Sequence, residues 1–262
     1  MNSGHYVYAI VHRDSALIAL ASDIVSDLGM VPCRELAAVT RCMHNDDGAP
    51  ATMKAVLRHE IIVEALRNRY PALPVRFGTV FRDADSIISA ISEQYDLLVA
   101  DLDRVGDKVE LSVTALWTTP SSPDDAKRPI DDAPGQHAGT RYLRARAFDL
   151  RRDEAQNERA QAVSRMLDDA LGTLALECRT SLLPTPRIAV RTAFLLDQGK
   201  VGSFRSVFDA LRGTHDDLRL LLTGPWPPYN FVRRADPGEV RTHHRLGDFA
   251  RLLTDAIGER CG

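Results

Sequence analysis

From Lys108 to Trp117 the residues alternate in polarity. Val109, Leu111, Val113, Ala115 and Trp117 fall on one side, with Glu110, Ser112 and Thr114 on the other. Successive side chains of a β-strand point to opposite faces, so this spacing predicts a strand with one face in a core. The next hundred residues complete a pattern. A helical segment is predicted from about Gly139 to Glu177, its second half carrying an apolar seam at Val163, Met166, Leu167, Ala170, Leu171 and Leu174. Next come a short strand at Leu182-Leu183 and a strand carrying Ile188, Val190, Phe194 and Leu196. A helix capped by Ser203 then bears Phe204, Val207, Phe208 and Leu211, before a strand at Leu218–Leu222. The order strand, helix, strand, strand, helix, strand is the ferredoxin-like β-α-β-β-α-β arrangement with a long first helix. Residues 118–138, with four prolines and few apolar groups, read as a mobile loop before that helix.

The 262 residues exceed the usual single-domain size, so an α+β fold in two domains is expected. Residues 1–105 form the first, 106–232 the ferredoxin-like second, and 233–262 a tail closed by a short helix at Asp248–Ile257. In the first domain Tyr6–Val11 is an opening strand, and Asp14–Leu28 a helix stopped by Gly29 and Pro32. Glu35–Thr40 is a second strand, and Asn45–Gly48 a turn. Thr52 caps a helix with apolar positions at Met53, Val56, Leu57, Ile61 and Ala65. Pro74–Phe81 is a short strand and turn. Asp83 or Asp85 caps a last helix through Ile87, Ile91, Leu98 and Leu102.

Function classes narrow by exclusion. A net charge of −3 argues against a dedicated nucleic-acid binder. No apolar run exceeds six residues, as at Ala16–Ala21, against the ~18–20 of a membrane span. Met1–His5 lacks the regions of a secretory signal, and the four cysteines (Cys33, Cys42, Cys178 and Cys261) show no framework, so free thiols in a cytoplasmic protein are expected. No phosphate-loop, dinucleotide or nucleophile-elbow motif occurs. His59-Glu60 opens like a zinc-protease helix, but Val63 stands where the second histidine belongs, which leaves His59 as a packed residue. His243-His244 and Asp46-Asp47-Gly48 lack the companions a metal needs. The arginines at 141, 144, 146, 151 and 152 are interleaved with Asp149, Asp153, Glu154 and Glu158, as on a solvated helix face. No catalytic residue, metal or cofactor is expected.

Two segments stand out. Leu73–Phe81 sets Arg76 and Gly78 inside an apolar run, where glycine permits a close approach or a bend. Gly224–Val232 joins three prolines to Trp226, Tyr229 and Phe231, a stiff frame for aromatic anchors. Physical chemistry alone weighs partner binding and internal packing evenly for both. These segments resemble the gas vesicle synthesis protein family L/F. So, in the same order, do Tyr6–Val11, Leu36–Val39, His59-Glu60, Arg104-Val105, Val109–Leu111, Trp117 and Gly139–Arg144. The resemblance implies two α+β domains, one ferredoxin-like, and a non-enzymatic accessory or minor component of gas vesicles. It would bind the small hydrophobic shell protein, alongside other accessory proteins, and need no cofactor. On that basis Arg76, Phe77, Trp226, Tyr229 and Phe231 are candidate partner-binding residues, which would join by strand addition and aromatic anchoring. The competing readings are an enzyme with a cleft joining His59, Arg76 and aspartates, and a nucleic-acid-binding ferredoxin-like module.

Overall fold

The computed structural model describes residues 4–15, 27–43, 52–118, 138–182 and 187–233. The expected helices at Asp14–Leu28 and Asp248–Ile257, the turn at 45–48 and the loop at 118–138 lie largely or wholly outside them. The chain divides into two compact units. The first runs up to Asp107 and resumes at Pro227; the second is Lys108–Trp226. The second unit therefore ends short of the expected boundary at 232. The physical reason is that Tyr229, Phe231 and Arg233 are hydrogen-bonded to Glu60, Arg104 and Asp101 of the first unit.

In the first unit β1 (Gly4–His12) lies between β3 (Leu36–Met43) and β4 (Ala72–Pro74), and β2 (Leu28–Cys33) forms the far edge beyond β3. Every pairing is antiparallel, with β5 (Val80–Phe81) also joined to β1. The strand at Leu28–Cys33 contradicts the expectation that Gly29 and Pro32 merely stop a helix. Its edge position explains why Pro32, which cannot donate to a ladder, is accommodated. Arg34, at φ 56, turns the chain from β2 into β3. Helix α1 (Met53–Arg67) starts where Thr52 accepts the Ala55 N–H, and its buried Val56, His59, Ile62, Val63 and Leu66 face the sheet's Tyr6, Tyr8, Val11 and Val39. The last helix expected in this unit is two. Asp83 caps α2 (Ala84–Glu93), and α3 (Tyr95–Val105) starts after a break at Gln94.

The second unit is an antiparallel sheet in the order β7-β8-β6-β9. Its strands are β6 (Val109–Trp117), β7 (Glu177–Ser181), β8 (Ile188–Leu196) and β9 (Leu218–Trp226). Helix α4 (Ala138–Leu171) separates β6 from β7, and α5 (Val201–Arg212) separates β8 from β9. With strands numbered along each unit, both sheets follow the same 2-3-1-4 order. The core forms where Val109, Leu111, Val113 and Ala115 meet Val163, Leu167 and Leu171 of α4 and Phe204 and Phe208 of α5. Phe194 and Phe204 meet edge to face at 5.1 Å.

Several details differ from expectation. The strand placed at Leu182-Leu183 lies at Glu177–Ser181, and α4 stops at Leu171 in a short 3-10 turn, Gly172–Leu174. Helix α5 begins at Val201 after Lys200 and not at Ser203, with no side-chain cap. Glu110, expected on the solvent side of β6, is buried, with the Ser112 hydroxyl donating to it at 3.1 Å. The first half of α4 contributes little to the core: from Leu143 to Arg159 no described side chain is buried, and Ala160 is the first that is.

Candidate functional site

The segment from Pro74 to Phe81 is mainly a turn, not the strand interior expected for Arg76 and Gly78. The Thr79 N–H and hydroxyl both donate to the Arg76 carbonyl, at 3.2 and 2.8 Å. Gly78 takes φ 83, a left-handed conformation in which side chains are strained. This conformation lets the Gly78 N–H donate to the Tyr6 hydroxyl at 3.0 Å. The same hydroxyl lies 2.9 Å from His59 Nδ1. Since it already accepts from Gly78, its own proton is free to go to Nδ1, an arrangement that leaves the imidazole proton on Nε2.

An aromatic cluster closes around that histidine. Tyr8 stacks on one side of His59 at 5.4 Å and Tyr229 on another at 6.4 Å, while Phe77 meets its edge at 5.7 Å. Only 1% of His59 is exposed, and burial lowers its pKa to about 4, an effect the Val75 backbone partly opposes. Burial likewise raises Tyr6 and Glu60, the latter shift opposed by the Tyr229 hydroxyl, which donates to Glu60 Oε1 at 3.0 Å. All these effects favour neutral groups, as suits a rigid packed joint. An enzyme reading required a cleft at His59, and the enclosed imidazole offers a substrate no surface to reach.

A second polar knot holds the returning segment. Asp101 has no exposed surface, though it lies among the apolar positions Leu98, Leu102 and Val105 of α3. Its carboxylate accepts from Arg104 Nη2 at 2.8 Å, and from the Arg233 backbone N–H and Nε at 2.6 Å each. Arg104 Nη2 also donates to the Phe231 carbonyl at 2.7 Å. Burial pushes the Asp101 pKa up, but the two arginines outweigh it and hold the carboxyl below its ordinary value. Sequence reading missed this knot. Its one local signal is an aspartate inside an apolar helical stripe.

The five candidate residues therefore separate. Phe231 is completely buried, so in the folded unit its ring packs internally. Phe77 and Tyr229 are half-buried in the His59 cluster. Arg76 is half-buried, its Nε without a hydrogen-bond partner among the described residues, and burial lowers its pKa. Trp226 belongs to the second unit, half-buried at the end of β9 opposite Glu110. Two residues before it, Gly224 at φ +107 is a required glycine: an added Cβ would lie 2.7 Å from the Glu110 carbonyl oxygen.

Other features carry less chemistry. A polar depression of about 450 Å³ is lined by His12, Arg13, Asp14, Arg34 and Glu35. Among the described residues no group of three His, Cys, Asp or Glu side chains is placed to hold a metal ion, and no helix is long and apolar enough to cross a membrane. The described cysteines Cys33, Cys42 and Cys178 are free thiols.

Comparison with known proteins gives these features a context. The family model for gas vesicle synthesis protein GvpL/GvpF matches residues 4–233. Gas vesicle protein L of Streptomyces sp. (strain CB03234) is 27% identical over 259 residues, covering 88% of this chain and 93% of that protein. Gas vesicle protein F2 of Halobacterium salinarum is 26% identical over 239 residues, covering 88% and 94%. The crystal structure of GvpF from Anabaena sp. PCC7120 shares the fold with a TM-score of 0.68 at 16% identity, covering 92% of this chain and all of that one. GvpF from Microcystis aeruginosa gives 0.67 at 18% identity, covering 88% and 99%. The match from Gly4 to Arg233 takes in both sheets, the His59 cluster and the Asp101 knot, and the chain belongs to the gas vesicle synthesis protein GvpL/GvpF family.

Proposed function

We propose that this protein is a non-enzymatic accessory or minor component of gas vesicle formation. It binds the small hydrophobic shell protein, of the GvpA type, keeps it from aggregating and supports nucleation or assembly of the vesicle. Its partners are that shell protein and other gas vesicle accessory proteins, not nucleic acid, membrane or a cofactor. It works in the cytoplasm and at the gas vesicle. The observation that carries this reading is family membership across residues 4–233.

The second unit supplies a physical means. Its chain order and its sheet order β7-β8-β6-β9 are those of a ferredoxin-like split βαβ module. That order leaves β7 at an edge, with four of its five residues exposed. A shell subunit whose apolar face will later meet gas needs a soluble partner beforehand, and an edge strand can accept a strand from it by main-chain pairing. Trp226 and Arg76, both half-buried, remain candidates for direct contact, with Phe77, Tyr229 and Phe231 supporting the fold beneath.

The edge can be tested by proline. Successive residues of a strand aim their N–H groups to opposite sides, so of Arg179→Pro and Thr180→Pro one strikes the outer edge and the other the ladder with β8. The outer-edge variant should keep its circular dichroism and retain at least fivefold less shell protein in a pull-down. Undiminished retention by that folded variant would contradict strand addition at β7.

A further inference from the structure

The sheet of the second unit has a face turned away from its helices. Val113 and Ala115 of β6 point into the core formed with α4 and α5, so Ser112, Thr114 and Leu116 point to the opposite side. The pairing registers carry that side across all four strands. Ser181, Arg191, Thr114 and Leu221 form one row, and Leu116 and Arg219 belong to the next. Arg179 lies one diagonal step from Arg191, in the row of Ala193 and Ser112.

Charge is segregated on this face. Glu177, Glu110 and Trp226 occupy the first row, where Glu110 and its neighbour Leu195 are buried. Beyond that row the described residues of the four strands place Arg179, Arg191 and Arg219 on the face and no carboxylate. There Arg179 and Arg219 are exposed, while Arg191, Thr114, Leu116 and Leu221 are half-buried. Like charges gathered on one surface repel one another, and an anionic partner relieves that repulsion. The spacing also selects a shape. Arg191 on β8 and Arg219 on β9 stand two strand spacings apart across β6, offset by the step from Thr114 to Leu116. At ~4.8 Å per strand and ~3.3 Å per residue, their Cα atoms are about 12 Å apart. Carboxylates seven residues apart on a helix are separated by about 10.5 Å, a difference that arginine side chains span. Apolar residues midway between those carboxylates would rest on Leu116 and Leu221. Nucleic acid is the other anionic class that meets sheet faces, but there its bases stack on aromatic side chains. The arginine rows carry none, since Trp226 lies with the glutamates.

We propose that the Arg191–Arg219 face is a docking surface for an acidic amphipathic helix of a partner protein. It is separate from strand addition at β7, so either reading can fail alone. The probe is a fluorescein-labelled helical peptide with glutamates seven apart and leucines between, titrated with the full chain at physiological salt and followed by anisotropy. The native chain should bind it, and Arg191→Glu with Arg219→Glu should bind it at least tenfold more weakly, with circular dichroism retained. A peptide with lysines in place of the glutamates should bind this variant and not the native chain. Arg219→Glu alone, at an exposed position, should weaken binding of the glutamate peptide at least threefold, whether or not the double variant folds. No saturable binding by the native chain, undiminished binding by the folded variants, or tighter binding of oligouridylate than of the glutamate peptide would each overturn the proposal.

Discussion

Asp101, fully buried, is bound by both the backbone N–H and the guanidinium of Arg233, 132 residues away, at 2.6 Å each. The contact ties the segment that returns from the second unit to α3 of the first. Replacing Asp101 by Asn keeps the shape but removes the charge that Arg104 and Arg233 share. Both arginines are partly solvated, which softens the loss, so the first unit should lose about 1–3 kcal/mol in urea unfolding. The folded Asp101 pKa lies below its ordinary 3.8. Its contribution is therefore complete above that value and disappears as pH falls through the lower folded one. The Asn variant should lack that part of the acid transition.

His59 makes a separate prediction at higher pH. Unfolded, it protonates near 6.5; folded, only near 4. Between those values the unfolded state holds the extra proton, so stability rises with pH across this window and levels off above it. The gain is at most roughly 3 kcal/mol. Chemical denaturation at pH 4.5 and 7 should show this difference in the native chain, and His59→Phe should remove most of it while leaving the Asp101 effect below pH 4.

Tyr6→Phe removes one oxygen that serves both Gly78 and His59 Nδ1. Leaving these groups unpaired should cost about 1–3 kcal/mol. The loss should appear as faster amide exchange at Gly78 and little change in the second unit.

Gly224→Ala tests the close approach of β9 to its sheet neighbour β6. A methyl group 2.7 Å from the Glu110 carbonyl, on a backbone at φ +107, should destabilise the second unit by at least ~1–3 kcal/mol. Gly199→Ala, whose added Cβ meets nothing within 4 Å, should change it little.

How far the sequence was legible depends on the range of the forces involved. The alternation in β6 and the caps at Thr52 and Asp83 are local, and both were readable. The Leu28–Cys33 strand was not, because Gly29 and Pro32 oppose a strand locally and only an edge beside β3 admits them. The Arg76–Thr79 turn was hidden because its apolar neighbours suggest continuous pairing, while the hydroxyl that shapes it belongs to Tyr6. Partners such as Tyr229 with Glu60 and Arg233 with Asp101 are more than a hundred residues apart, beyond any periodicity. Phe231 shows the limit most clearly: a residue in a distinctive aromatic block proved to be fully enclosed.

Sedimentation shows whether this chain keeps a hydrophobic shell subunit in solution for assembly, as proposed. The small shell protein of the same host is diluted from denaturant with or without an equimolar amount of the full chain, and its supernatant fraction is measured after centrifugation. Most of the shell protein should stay in the supernatant in company with this protein. Quantitative pelleting of the shell protein, with this protein alone left in solution, would contradict it.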